Sequence, residues 1–109
     1  MADLAEKAYE AIETAKKSGG KLRKGTNEVT KCVEKGQALL VAVAKDTSPP
    51  EIIMHIPVLC KEKGVPCVEV PTKEELGIAA GIGVPTASVA IIKEGDAKNL
   101  IKDIKAALQ

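Results

Sequence analysis

The side chains best suited to chemistry lie in one short segment, Lys24-Gly25-Thr26-Asn27-Glu28, and in Lys31 just after it. An amide both donates and accepts hydrogen bonds, an ammonium donates, and an ionised carboxylate only accepts. Lys31 can donate to guanine O6 or N7, whereas Glu28 is a poor phosphate ligand and needs a donor such as guanine N1–H or N2–H. This set predicts reading of base edges in RNA that is distorted, because the grooves of regular A-form RNA do not admit such side chains.

A helix must position these groups. We expect it to follow Gly25, with Thr26 or Asn27 as its N-cap and Gly36 as its C-terminal stop. Helical spacing separates a polar face, with Asn27, Glu28, Lys31 and Lys35, from an apolar face, with Val29, Cys32 and Val33. The first turn adds free N–H groups and the positive end of the helix dipole, and Gly25 lets another backbone approach closely.

The charge distribution supports a polyanion site. Residues 16–35 hold seven basic and two acidic residues, a net charge of +5, while the whole chain carries +1. A local basic patch of this kind is the electrostatic footprint of a nucleic-acid site, although a solvated charged face would look the same. Tyr9 is the only aromatic residue, which argues against base stacking on aromatic platforms.

Length and composition predict a single domain over residues 1–109 with an aliphatic core. The three cysteines include no C-x-x-C pair, which argues against a disulfide framework or a zinc site and suits a reducing cytoplasm. We see no signal peptide and no apolar run long enough to span a bilayer. We therefore expect a cytoplasmic protein that needs no metal or cofactor and has no membrane partner.

Helical and strand patterns alternate along the chain. Strands are predicted over 39–44, 65–70 and 88–92, and their apolar composition requires helices on both faces. Helices are predicted from an Asp3 cap to Ser18, from a Ser48–Glu51 capping box to Gly64 with a kink at Pro57, after a Thr72 cap, and from an Asp96 cap through Leu108. We interpret Lys21 to Lys24 as a connecting basic stretch. The expected fold is α/β, a three-layer α/β/α sandwich with a small mixed sheet whose strand order the pattern leaves open.

Several separated motifs resemble the ribosomal L-seven-A-e family of archaeal large-subunit ribosomal proteins and guide-RNP core proteins that bind kink-turn RNA. They are Gly25-Thr26-Asn27-Glu28-Val29-Thr30-Lys31, Pro50-Glu51-Ile52-Ile53, His55-Ile56-Pro57-Val58-Leu59-Cys60, Lys63-Gly64-Val65-Pro66, Leu76-Gly77, Ala87-Ser88, Ala90-Ile91-Ile92 and Glu94-Gly95. The likeness covers nearly the whole chain, and the motifs stand in the family's order.

The resemblance implies a role for each part of the site. Asn27, Glu28 and Lys31 would contact the guanines of tandem sheared G·A pairs, and Arg23, Lys24 and Gly25 would lie against the RNA backbone. The loop formed by residues 82–87 would pack on the bent strand. The RNA-binding residues expected in this loop are Ile82, Val84, Pro85, Thr86 and Ala87. Thr26, at the start of the second helix, is expected to bind the RNA as well. Ile52 and Lys73, with the Asp46 to Ser48 loop, would surround a flipped-out nucleotide.

Two positions depart from the family pattern. Relatives often carry an acidic residue at the position of Ser48, so the nucleotide pocket should be less selective. Archaeal relatives often carry Glu at the position of Gly83, and glycine should make the loop more mobile.

The resemblance implies kink-turn partners in ribosomal RNA, guide RNA of the box C/D and H/ACA types, and ribonuclease P RNA. It also implies protein neighbours in those particles, and we expect a monomer when the protein is free. Two other functions stay open from the residues alone: a small α/β enzyme or ligand-binding domain that uses the glycine-rich loop near Gly81, and a protein-interaction module centred on Ile82 and Val84. A nucleophile–base pair of Cys60 and His55 is disfavoured because no third residue is implied.

Overall fold

The computed structural model describes residues 4–47 and 53–108. The helices are α1 (Leu4–Lys17), α2 (Thr26–Glu34), α3 (His55–Lys63), α4 (Lys73–Ala79) and α5 (Lys98–Leu108), with a 3-10 turn at Gly95–Ala97. The strands are β1 (Lys21–Lys24), β2 (Leu40–Ala44), β3 (Cys67–Val70) and β4 (Ser88–Lys93). The expected Asp3 cap, the Ser48–Glu51 capping box and Ile52 lie outside the described residues.

The four strands form one mixed sheet in the order β1-β4-β2-β3. β2 and β3 are parallel, and β4 runs antiparallel to both β1 and β2. Helices α1, α4 and α5 cover one face of the sheet over an aliphatic core, and α2 and α3 cover the other face. The predicted α/β sandwich is confirmed, and every residue of the central strand β2 is buried, as its unbroken apolar run requires.

Strand β1 corrects the sequence analysis, which assigned Lys21 to Lys24 to a connection. Its side chains are exposed except for the half-buried Leu22, so no alternation of polar and apolar residues marks it as a strand. Backbone pairing with β4 forms it instead, with Arg23 opposite Ala90 and Lys24 opposite Val89. A charged edge strand of this kind also discourages pairing with another sheet.

Two helix starts also differ from the prediction. Gly25, not Thr26 or Asn27, takes the N-cap position of α2. The α-helix after the undescribed segment begins at His55, which places Pro57 in its first turn. Pro57 therefore does not interrupt the helix interior, as the predicted kink assumed, because N–H groups of the first turn have no hydrogen-bond partner within the helix.

The remaining boundaries show which local signals were reliable. Thr72 caps α4 by accepting the Glu75 N–H at 3.2 Å, and Gly64 ends α3 in the left-handed conformation, both as predicted. The third strand of the chain is shorter than predicted and begins at Cys67. Asp96 does not cap α5 but lies in the 3-10 turn, where its N–H donates to Ser18 Oγ at 2.8 Å.

The apolar face of α5 is shorter than predicted. Ile101 and Ile104 are buried on it, but Leu108 is 43% exposed and is not part of the core.

Candidate nucleic-acid interface

The start of α2 is held by the pairing of β1 with β4. Lys24 lies opposite Val89, and the Gly25 N–H donates to the Ser88 carbonyl at 3.0 Å. Gly25 has φ 93° and ψ 148°, a conformation that residues with a β-carbon rarely adopt. A β-carbon at Gly25 would meet no atom within 4 Å, so the space over this residue is open to a ligand.

The predicted division of α2 into two faces is confirmed. Val29, Cys32 and Val33 are buried, whereas Asn27, Glu28, Lys31 and Lys35 are exposed. No side chain caps the helix, so N–H groups of its first turn keep hydrogen-bonding capacity for a ligand. Amide, carboxylate and ammonium groups thus share one accessible surface with the positive end of the helix dipole.

Glu28 is not neutralised by a neighbouring cation. Within 4–47 and 53–108, the side-chain ion pairs join Lys17 to Glu13 and Lys45 to Glu69, and no Lys or Arg nitrogen lies within 4.0 Å of the Glu28 carboxylate. A helix-surface pair of Glu28 with Lys31, the simplest structural role for these two residues, is not formed. The carboxylate stands as an unpaired acceptor in a basic patch.

A polar cleft of about 120 Å³ lies between β1 and α2. Arg23 from the strand and Lys31 and Lys35 from the helix line it together with Glu28. Cys32 also lines the cleft, and burial raises the pKa of its thiol, against the opposing effect of the Arg23 and Lys35 charges. Burial thus favours the neutral thiol at Cys32.

The 82–87 loop enters β4 next to Gly25. Val84 is 59% exposed, Pro85 is exposed, and Ile82 and Ala87 are half-buried. Close packing holds the loop, since a β-carbon at the buried Gly77 would collide with the Val84 carbonyl. The loop therefore presents part of its apolar surface to solvent while its backbone rests on α4.

Thr86 anchors the loop from inside. Thr86 is only 7% exposed. Its N–H donates to the Lys73 carbonyl at 3.1 Å, and its hydroxyl donates to the Ser88 carbonyl at 3.1 Å. Of the loop residues expected at the RNA, Thr86 thus holds the backbone and offers little surface of its own.

Lys73 connects the loop to the end of β2. Its backbone N–H donates to the Asp46 carboxylate at 2.8 Å, and its side chain is exposed. The structure therefore places Lys73 between Asp46, one member of the expected nucleotide pocket, and the 82–87 loop. Ile52, the other residue expected there, lies outside the described residues.

The glycine-rich turn near Gly81 is occupied by contacts within the protein. The N–H of Gly81 donates to Ile78 and the N–H of Ile82 to Gly77, so both serve to end α4. The Gly81 carbonyl accepts Lys16 Nζ at 3.0 Å. These groups are not free to cradle a phosphate, and this argues against the ligand-binding alternative.

His55 also lines this surface, where the sequence analysis did not place it. It is exposed and lines a groove of about 590 Å³ with Lys24, Gly25, Thr26, Asn27 and Glu28. Only the packing of α3 against α2 brings His55 there, and no local sequence pattern predicts this packing. Cys60, its imagined partner in a nucleophile–base pair, lies in the core at 1% exposure.

The family model described as the ribosomal protein L7Ae/L30e/S12e/Gadd45 family matches residues 6–101. The chain belongs to this family. A solved structure of the Giardia lamblia 15.5kD RNA binding protein is 32% identical in sequence. That match covers 98% of this chain and 88% of the Giardia chain, with a TM-score of 0.88.

The L7Ae-family match spans every element that builds the interface, from β1 to β4. The likeness in fold likewise extends over nearly the whole chain and not over the sheet alone. In the part that the structure describes, no helix is long and apolar enough to cross a membrane, and no cluster of three or more His, Cys, Asp or Glu residues could hold a metal ion.

Proposed function

We propose that this L7Ae-family protein is a non-enzymatic RNA-binding protein. Its target is kink-turn or kink-loop RNA, recognised through tandem sheared G·A pairs. It stabilises the bent form of that RNA and thereby scaffolds larger particles.

One observation carries the proposal: an unpaired, exposed carboxylate stands beside an amide and an ammonium at the start of a helix, within a basic patch. A site for phosphate alone has no use for Glu28, which would repel the backbone. Guanine edges supply the N–H donors that Glu28 lacks and the acceptors that Lys31 needs. The RNA-binding name of the Giardia relative supports the same class of ligand.

The other residues of the site are proposed to contact different parts of the RNA. Arg23 and Lys24 provide sequence-independent attraction for the RNA backbone, which approaches over the open space at Gly25. The exposed apolar side chains of the 82–87 loop pack against the bent strand. Lys73, with Ile52, borders the flipped-out nucleotide.

The bent RNA is favoured by differential affinity, without any chemical step. A protein that binds only the bent form shifts the RNA toward it by the difference in binding free energy. The partners that follow are ribosomal RNA, box C/D and H/ACA guide RNA and ribonuclease P RNA in the cytoplasm, with their ribosomal and guide-particle proteins. Before assembly the protein is a monomer.

The test compares a kink-turn RNA with the same RNA after its G·A pairs are replaced by Watson–Crick pairs, at one stated salt concentration. Wild-type protein should bind the kink-turn more tightly, and Asn27→Ala should lose about 1–3 kcal/mol of that preference. Asn99→Ala is the matched control, because Asn99 is an exposed amide on α5, on the other face of the sheet. Equal binding of the two RNAs by the wild type would refute the proposal.

A further inference from the structure

The groove at the start of α2 has a second wall. Lys24 to Glu28 form one side, and His55, the first residue of α3, forms the other. His55 is exposed, and its Nε2 lies 2.8 Å from Thr30 Oγ1. Its imidazole is the only aromatic ring that lines this groove among the described residues.

The hydrogen bonds of Thr30 determine which nitrogen of His55 is engaged. A hydroxyl has one hydrogen to donate. Thr30 Oγ1 donates it to the Thr26 carbonyl at 2.7 Å, because a carbonyl can only accept. At the 2.8 Å contact Thr30 must therefore be the acceptor, and His55 Nε2 must carry the hydrogen. The neutral ring then has an unprotonated Nδ1, which is an acceptor.

We infer that His55 is a further nucleotide-contacting residue of this site, with Nδ1 as the contacting atom and Thr30 as the positioning residue that fixes the ring. The inference rests on the proposed function and extends it. The complementary group is a hydrogen-bond donor on the nucleotide, either a ribose 2′-hydroxyl or an exocyclic amine. A bond between the exposed His55 and the half-buried Thr30 stabilises the free protein little, so its main effect is to orient the imidazole toward the groove.

Two substitutions separate the ring nitrogens. Counted in bonds from the β-carbon, the donating amide nitrogen of glutamine matches Nε2, and the accepting amide oxygen of asparagine matches Nδ1. His55→Gln keeps a donor for Thr30 and removes the acceptor at Nδ1, whereas His55→Asn keeps an accepting oxygen near Nδ1 and loses the donor for Thr30. Glu62→Gln is the control, since Glu62 is an exposed residue of the same helix and does not line the groove.

We expect His55→Gln to weaken binding of the kink-turn RNA about three- to tenfold, the effect of one hydrogen bond, without a change in Tm. His55→Asn should retain more affinity than His55→Gln. Thr30→Val should give a smaller loss that Thr30→Ser does not show. Single 2′-deoxy substitutions in the RNA identify the donor. If it is a ribose hydroxyl, one such substitution should make the Kd values of wild type and His55→Gln equal. If it is an exocyclic amine, no 2′-deoxy substitution should do so.

His55 is the chain's only histidine, so the signal of its imidazole Hε1 proton can be attributed to it without further assignment. A direct contact requires that signal to shift as the kink-turn RNA saturates the protein. An unmoved signal, or a His55→Gln variant with wild-type Kd, would overturn the inference. Because the wild type would still discriminate between the two RNAs in that case, failure here is distinguishable from failure of the proposed function.

Discussion

The sharpest test of the site is Glu28→Gln, which replaces a carboxylate by an amide of the same shape. In the free protein the change should be mild, because Glu28 is exposed and has no cation within 4.0 Å among the described residues. The main loss is the attraction between a first-turn carboxylate and the helix dipole, about 0.3–1 kcal/mol. For a chain of this size the expected fall in Tm is about 1–6 °C.

The effect on specific RNA binding should be much larger. A carboxylate accepts hydrogen bonds from both guanine N1–H and N2–H, whereas the glutamine amide accepts with its oxygen alone and sets its own NH₂ against the second donor. A base contact of this kind is worth about 1–3 kcal/mol. The Kd for the kink-turn RNA should therefore rise about 5- to 150-fold.

The two RNAs should respond to Glu28→Gln in opposite directions. Loss of one negative charge makes the basic patch more positive, so nonspecific binding should strengthen by up to about 1 kcal/mol at low salt. Fluorescence titration of the kink-turn RNA and of its G·A-replaced form measures both effects. Glu6→Gln is the matched control, because Glu6 is also an exposed glutamate in the third position of a helix, α1. Tighter binding of both RNAs would show that Glu28 is only a solvated carboxylate, and our account of the site would be refuted.

Four further changes test the rest of the molecule. Lys24→Ala should weaken binding to both RNAs alike and reduce the slope of log K against log salt by about 1, whereas Lys102→Ala on α5 should not; a selective loss for the kink-turn RNA would contradict a backbone role. Gly25→Ala should cost about 1–3 kcal/mol in urea unfolding because of its positive φ, and an unchanged midpoint would rule out that strain. Gly77→Ala should displace the Val84 carbonyl, which backbone NMR shifts confined to the 82–87 loop would report and unshifted amides would disprove. Ile91→Ala, at a fully buried position between β1 and β2, should cost about 2–5 kcal/mol by thermal unfolding, and a loss below this range would mean that the core closes over the cavity.

Local patterns accounted for much of the fold and for the centre of the site. The two faces of α2, the Thr72 cap, the Gly64 stop and the buried strand β2 all follow from side chains within a few residues of one another. Helical periodicity and capping are short-range effects, and one sequence is enough to show them. Even so, the Gly25 cap was missed, because a glycine with positive φ replaces the expected side-chain cap.

The sequence by itself determined which groups α2 presents: Asn27, Glu28 and Lys31 on an exposed face with Val29 and Val33 beneath. Tertiary structure alone decided what surrounds them. It formed β1 by pairing with β4, set the 82–87 loop beside Gly25, carried Arg23 into the polar cleft and placed His55 across the groove from Asn27. The physical reason is that strand order and helix packing depend on backbone hydrogen bonds and apolar contacts between residues far apart in the chain. The periodicity of a single segment does not indicate which distant residues it will contact.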